Sequence, residues 1–102
     1  MDKNFGGVIW TNHAIDRMRQ RGVRQGDAWA TWRNPEQSRK GKSDGTWVYY
    51  RTYGNTKIEV VAKQNERREW LILSVWSDPV YGRSKPESLI DLIIRRIFKR
   101  KK

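Results

Sequence analysis

The spacing of apolar residues changes period once along this chain, and that change limits the fold more than any other feature. Between Thr11 and Arg33 the apolar side chains recur at helical intervals. From Thr46 to Ser77 they fall in runs rich in aromatic and β-branched residues, with alternating spacing. Helices followed by strands in a short chain point to an α+β fold with the helices on one face of an antiparallel sheet. Thr11 is a good N-cap, Trp10 and Ile15 flank it as a hydrophobic staple, and Gly22 supplies a stop. Ala14, Ile15 and Met18 form the buried stripe of this first helix. His13, Arg17 and Arg21, four apart each time, share a neighbouring face. A second helix is predicted over Gln25–Arg33, burying Val23, Ala28, Trp29 and Trp32 and ended by Asn34-Pro35. The polar stretch 36–45 reads as loop or irregular edge.

Three strands are predicted, Thr46–Tyr53, Thr56–Lys63 and Glu69–Ser77, giving a twisted antiparallel meander of three or four strands. Gly54-Asn55 is a two-residue hairpin signal of type II′. Pairing Tyr53 with Thr56 places Trp47, Tyr49 and Arg51 opposite Ala62, Val60 and Ile58 on one side, which is the more apolar and should carry the helices. Leu71, Leu73 and Val75 are expected to join that side. Trp70, Ile72, Ser74 and Trp76 are expected on the other, with Tyr50, Lys57, Glu59 and Lys63.

The 102 residues carry 22 Lys and Arg against 11 Asp and Glu, a formal charge of +11. Residues 82–102 hold +6 of this, and the chain before them is still basic. A lysine-rich end suits solubility and a helix C-terminus; an overall basic domain also suits a polyanion, nucleic acid first, with an acidic protein or a membrane surface behind it. The expected organisation is one domain over residues 1–81, then a connector and a basic helix from Pro86 to about Phe98. That helix carries a wide apolar arc of Leu89, Ile90, Leu92, Ile93, Ile94, Ile97 and Phe98. It is too short to span a bilayer, which takes about 20 apolar residues. Packing on the domain, or pairing two copies as a homodimer, would bury it.

With no cysteine and one histidine there is no thiolate or multi-histidine metal site, and no cofactor is expected. No secretory signal is visible before Trp10, so a cytoplasmic location is the expectation. The side chain best suited to proton transfer at neutral pH is His13, whose unperturbed pKa is about 6.5. Arg17 and Arg21, one and two turns along, are placed to grip a phosphate; packing for His13 and ion pairs with Asp16 or Asp27 for the arginines remain the structural alternatives. Metal-free cleavage of RNA needs a base, an acid and cations around the phosphate. With one histidine, the second proton role falls to Tyr50, Glu59 or Lys63. Trp70 and Trp76, beside Lys57 and Lys63, are candidates for stacking bases, or for cover by the last helix. Lys63 adds positive field, and Arg19 is a further candidate for contact with nucleic acid.

The stretch Thr11-Asn12-His13-Ala14-Ile15-Asp16-Arg17-Met18-Arg19-Gln20-Arg21-Gly22-Val23 resembles the opening signature T-x-H-A-x-x-R-M-x-x-R-G-[IV] of a family of small bacterial domains of unknown function, placed near the RelE/ParE-type toxins and similar in layout to BrnT. The likeness continues through an Asp27-Ala28-Trp29 helix, the Asn34-Pro35 stop, the Gly54 turn, Val60-Val61 and the run Leu71–Trp76. The second helix departs from it, lacking a Ser or Thr cap and carrying Trp29 and Trp32 where smaller aliphatics are expected. The resemblance implies a RelE-like helix pair on a twisted sheet and an RNA-binding, toxin-like protein. Cleavage would fall to His13, Arg17, Arg21 and Tyr50, and contacts to Lys57, Lys63, Trp70, Trp76 and Arg19. The expected partners are RNA or the ribosome and an acidic antitoxin. A non-catalytic binding module, including ParE-like inhibition by contact, is the alternative.

Overall fold

The computed structural model describes residues 1–80 of the chain. Its elements are β1 (Ile9–Trp10), α1 (Asn12–Arg21), α2 (Gln25–Arg33), β2 (Gln37–Lys40), β3 (Thr46–Tyr53), β4 (Thr56–Gln64) and β5 (Trp70–Pro79). The strands form a five-stranded sheet of order β1-β5-β4-β3-β2. The fold is α+β, but the sheet is mixed: β1 runs parallel to β5 through Ile9↔Leu71 and Trp10↔Ile72, and the other pairs are antiparallel. The expected three- or four-stranded meander therefore gains a strand at each edge. Two residues are too few to show a period, so β1 leaves no pattern. Every residue of β2 is exposed, so its polar run carries no alternation and instead forms a charged edge of the kind that discourages further strand pairing. The helix expected over 86–98, with the homodimer contact it suggested, lies outside the described residues. Among the described residues, no helix is long and apolar enough to cross a membrane.

The Thr11 hydroxyl oxygen accepts from the Ala14 N–H at 3.1 Å, capping α1, and the hydroxyl lies 3.0 and 3.2 Å from the Ile72 and Leu73 carbonyls of β5. One side chain thus starts the helix and ties it to the sheet. Gly22 ends it at φ 67, a conformation any Cβ would oppose. The β3–β4 hairpin has Tyr53 opposite Thr56 and Trp47 opposite Ala62. Gly54 takes φ 60 while Asn55 stays out of the left-handed region, as a type II′ turn requires.

The core lies between the helices and one sheet face. Ala14, Ile15, Met18, Val23 and Ala28 meet Ile58, Val60, Ala62, Ile72 and Val75, with Val8 and Trp10 closing one end. Each large aliphatic so buried contributes about 1.5–3 kcal/mol. Trp29 and Trp32 are half-buried, and the fully buried α2 side chains are Ala28 and Thr31, the latter's hydroxyl bonded to the Asp27 carbonyl and 3.3 Å from the Tyr53 hydroxyl.

Strand β5 departs from simple alternation. Val61 pairs with Ser74 but Ala62 pairs with Ile72, so Leu73 is the extra residue of a bulge. The bulge shifts the inward set by one: Ile72 and Val75 are both fully buried, whereas Leu71 and Leu73 are half-buried. Leu71 and Leu73 were expected inside with Val75, and Ile72 outside; a single inserted residue reverses that assignment. Trp70 also moves to the helix side, its ring 6.0 Å from that of Trp32 and 6.3 Å from that of Tyr49.

Candidate functional site

Strand β1 pairs only with the first residues of β5, and α1 flanks the remainder. The Thr11 contact at Ile72–Leu73 and an Arg21 contact at Ser77 show that the helix runs alongside the strand in the same direction. The ridge His13–Arg17–Arg21 therefore follows the sheet margin, and its last two members reach Trp76 on the face away from the helical core. The Arg21 guanidinium carbon sits 3.8 Å from a Trp76 ring centroid and that of Arg17 5.5 Å. Arg21 also donates to the Ser77 carbonyl and lies 3.7 Å from the Asp78 carboxylate, which accepts from the Trp76 indole N–H at 3.2 Å. Its Nε is buried without a partner among the described residues, a desolvation that costs about 1–3 kcal/mol. Arg21 is thus committed to holding Trp76 in place. Arg17 is less tied, donating to Gln20 at 3.0 Å.

From Trp76 the surface continues straight across the sheet. Trp76 is opposite Glu59, and Glu59 is opposite Tyr50, on β5, β4 and β3. Lys57 Nζ stands 4.3 Å from the Tyr50 ring centroid and 4.0 Å from the Glu59 carboxylate. From β2, Arg39 lies over the same ring at 5.5 Å and its Nε donates to the Tyr50 hydroxyl. The result is a row of two aromatic rings flanked by Arg17, Arg21, Lys57 and Arg39, with Glu59 between the rings. Such cation–ring contacts are worth about 0.5–1 kcal/mol each when exposed. Their larger consequence is to fix the rings on the surface.

Of the residues singled out from sequence, the structure gathers Arg17, Arg21, Trp76, Lys57 and Tyr50 in this row. His13 is exposed, one turn before Arg17 on the same ridge. Tyr50 lies two strand spacings from Trp76, about 10 Å, with its hydroxyl engaged by Arg39, so it and the α1 ridge do not converge on one reacting atom. Arg19 is exposed and 4.0 Å from Asp16. Lys63 is at the far end of β4, six residues from Lys57 and about 20 Å along the strand. Trp70 belongs to the core side. The sequence does not single out Arg39, because the polar stretch 36–45 reads only as loop or irregular edge, and it does not single out Asp78. The spacing Trp76-x-Asp78 puts both on one strand face and was the available signal for the latter. On the helix side, burial raises the phenol pKa of Tyr49 above its ordinary value.

Chemically, the row offers rings for stacking, cations for phosphates and one carboxylate able to accept from a base edge. Among the described residues, no group of three or more His, Cys, Asp and Glu gathers as a metal site would need. The sequence matches the family described as "Domain of unknown function (DUF4258)" over residues 10–76, and the chain belongs to that family. The matched span covers the strands and helices that build the row, apart from Asp78. No curated protein and no solved structure matches the chain.

Proposed function

We propose that this DUF4258 domain binds single-stranded RNA across the row Trp76–Glu59–Tyr50, with phosphates taken by Arg17, Lys57 and Arg39 and bases stacked on the two rings. The observation that carries this is the clamping of Trp76 on the sheet surface by Arg17 and Arg21. A large ring fixed at the sheet surface by cations, beside a second ring, is what a stacking platform needs. The net charge of +11 adds the long-range attraction, so affinity should fall steeply with salt. In this reading Arg21 is a positioning residue, and Arg17 is the α1 cation that meets the ligand.

A second reading is favoured by the exposure of His13 on the same ridge, one turn from Arg17. A phosphate held by Arg17 would sit beside an imidazole able to move a proton, giving a toxin-like, metal-independent endoribonuclease of the RelE/BrnT kind. Its partners would be cytoplasmic RNA or the ribosome, with an acidic antitoxin covering the basic row. ParE-like inhibition by contact would use the same surface without cleavage.

Incubating labelled RNA with the protein in EDTA, beside His13→Ala and Arg17→Ala, tests both. Binding that weakens in Arg17→Ala supports the interface. Cleavage present in the wild type and lost in His13→Ala supports the nuclease reading. Binding unchanged by Arg17→Ala, Lys57→Ala and Trp76→Ala together would remove the row from RNA recognition.

A further inference from the structure

Beside the aromatic row, the same sheet face carries a second feature that RNA binding leaves unused. A trough of about 1000 Å³ runs along the start of β5, lined by Leu71, Leu73, Thr46 and Lys63 and by the β4–β5 turn. A smaller cavity of about 310 Å³ continues it across Val61 and Val48, sharing Leu73 and Thr46. The bulge at Leu73 creates this apolar floor, because it turns Leu71 and Leu73 away from the helical core.

We infer that the trough is the docking site of the chain's own C-terminal segment, residues 86–98. Three observations select that occupant. The segment has the matching chemistry: seven large apolar residues between Leu89 and Phe98 form an arc too wide to be left in water. The described chain ends within reach. Val80 is bonded to the Asn55 carbonyl at the hairpin end of the sheet, and Leu73 and Leu71 lie seven and nine residues back along the strand, about 24–31 Å away. Five residues, 81–85, can span at most about 17 Å, and the helix that the apolar spacing predicts over 86–98 would cover about 19 Å. Together they reach the Leu71 end when the segment runs antiparallel to β5. The third observation is the tether: a five-residue connector holds the segment at an effective concentration in the millimolar range, far above that of a second copy in dilute solution. Docked this way, the apolar arc faces Leu71, Leu73 and Val61. Arg95, Arg96 and the terminal basic residues then lie at the Leu71 end of the sheet, five strand residues or about 17 Å from Trp76.

The chain has no cysteine, so the test is direct. Leu73→Cys is combined with Ile93→Cys, and Gln20→Cys with Ile93→Cys serves as control, each oxidised at low micromolar concentration and sized. The inference expects a monomeric cross-link in the Leu73 pair at least tenfold faster than in the control. It also expects slow tryptic cutting at Arg95-Arg96, accelerated tenfold or more by Leu73→Glu in a chain whose far-ultraviolet circular dichroism is unchanged. Cross-linked dimers alone would mean that a second copy fills the trough and would overturn it. Equal cross-linking in both pairs, or tryptic cutting as fast as in the free peptide, would overturn it as well. These outcomes are independent of RNA affinity, so a failure here leaves the row's role to its own experiment.

Discussion

The two faces of the sheet are made from the same three strands and carry opposite chemistry. Toward the helices, Ile58, Val60, Ala62, Ile72 and Val75 are buried almost completely and hold the fold. On the reverse, one residue away in each strand, Glu59, Tyr50 and Trp76 stay partly exposed and are flanked by cations that belong to α1, β4 and β2. Tyr49 and Tyr50 make the contrast within a single dipeptide: the first, partly buried, packs against Trp70 on the helix side, and the second lies under Lys57 and Arg39. If the outward row binds RNA as proposed, stability and recognition are separated by the pleat, and a substitution on one face should leave the other nearly untouched.

The largest expected break in that separation is on the helix side. Ile72→Ala opens a cavity in a fully buried position and should cost about 2–5 kcal/mol, read as a lower denaturant midpoint. The RNA affinity of the molecules that remain folded should be unchanged. Arg21→Ala sits at the margin between the faces. It frees Trp76 but also removes a buried, unpaired Nε–H, so its stability cost should stay near about 1 kcal/mol, while RNA affinity drops with the loss of a fixed ring. Arg21→Lys keeps the charge without the planar guanidinium and should rescue only part of that affinity. Arg17→Ala should leave the melting temperature in place, weaken RNA binding several-fold and reduce the salt slope by about one. The smallest effect belongs to Tyr49. Because its folded-state pKa is raised by burial, its contribution is intact below the unfolded value of about 10 and is lost as pH rises through the folded value. Unfolding followed from neutral to alkaline pH should therefore show a shallower decline in Tyr49→Phe than in the parent.

Much of this arrangement was legible from residues alone, and the failures have local causes. The Thr11 cap, the Gly22 stop and the Gly54-Asn55 turn are short-range chemistry that neighbouring residues decide, and the hairpin register follows from the turn. The bulge at Leu73 is different. Leu71, Ile72, Leu73 and Val75 are all apolar, so no alternation marks where the extra residue falls, and the register is tied to the Thr11 contacts to Ile72 and Leu73 from 61 and 62 residues away. The row itself was half visible: the spacing of Arg17 and Arg21 and the pairing of Tyr50 with Glu59 could be read, whereas the reach of α1 over the sheet margin to Trp76 depends on how short β1 is. Arg39 was hidden because an exposed edge strand carries no apolar period.

The two tryptophans of β5 give the most direct test of the central claim that the outward face is the recognition face. RNA affinity and unfolding should be measured in parallel for Trp76→Ala and Trp70→Ala. The account predicts that Trp76→Ala loses roughly tenfold or more in affinity, as the removal of a stacking ring worth about 1–3 kcal/mol requires, with a modest change in stability. Trp70→Ala should do the reverse, destabilising the fold while its folded fraction binds RNA as the parent does. Equal losses of affinity in the two variants, or a loss confined to Trp70→Ala, would contradict it.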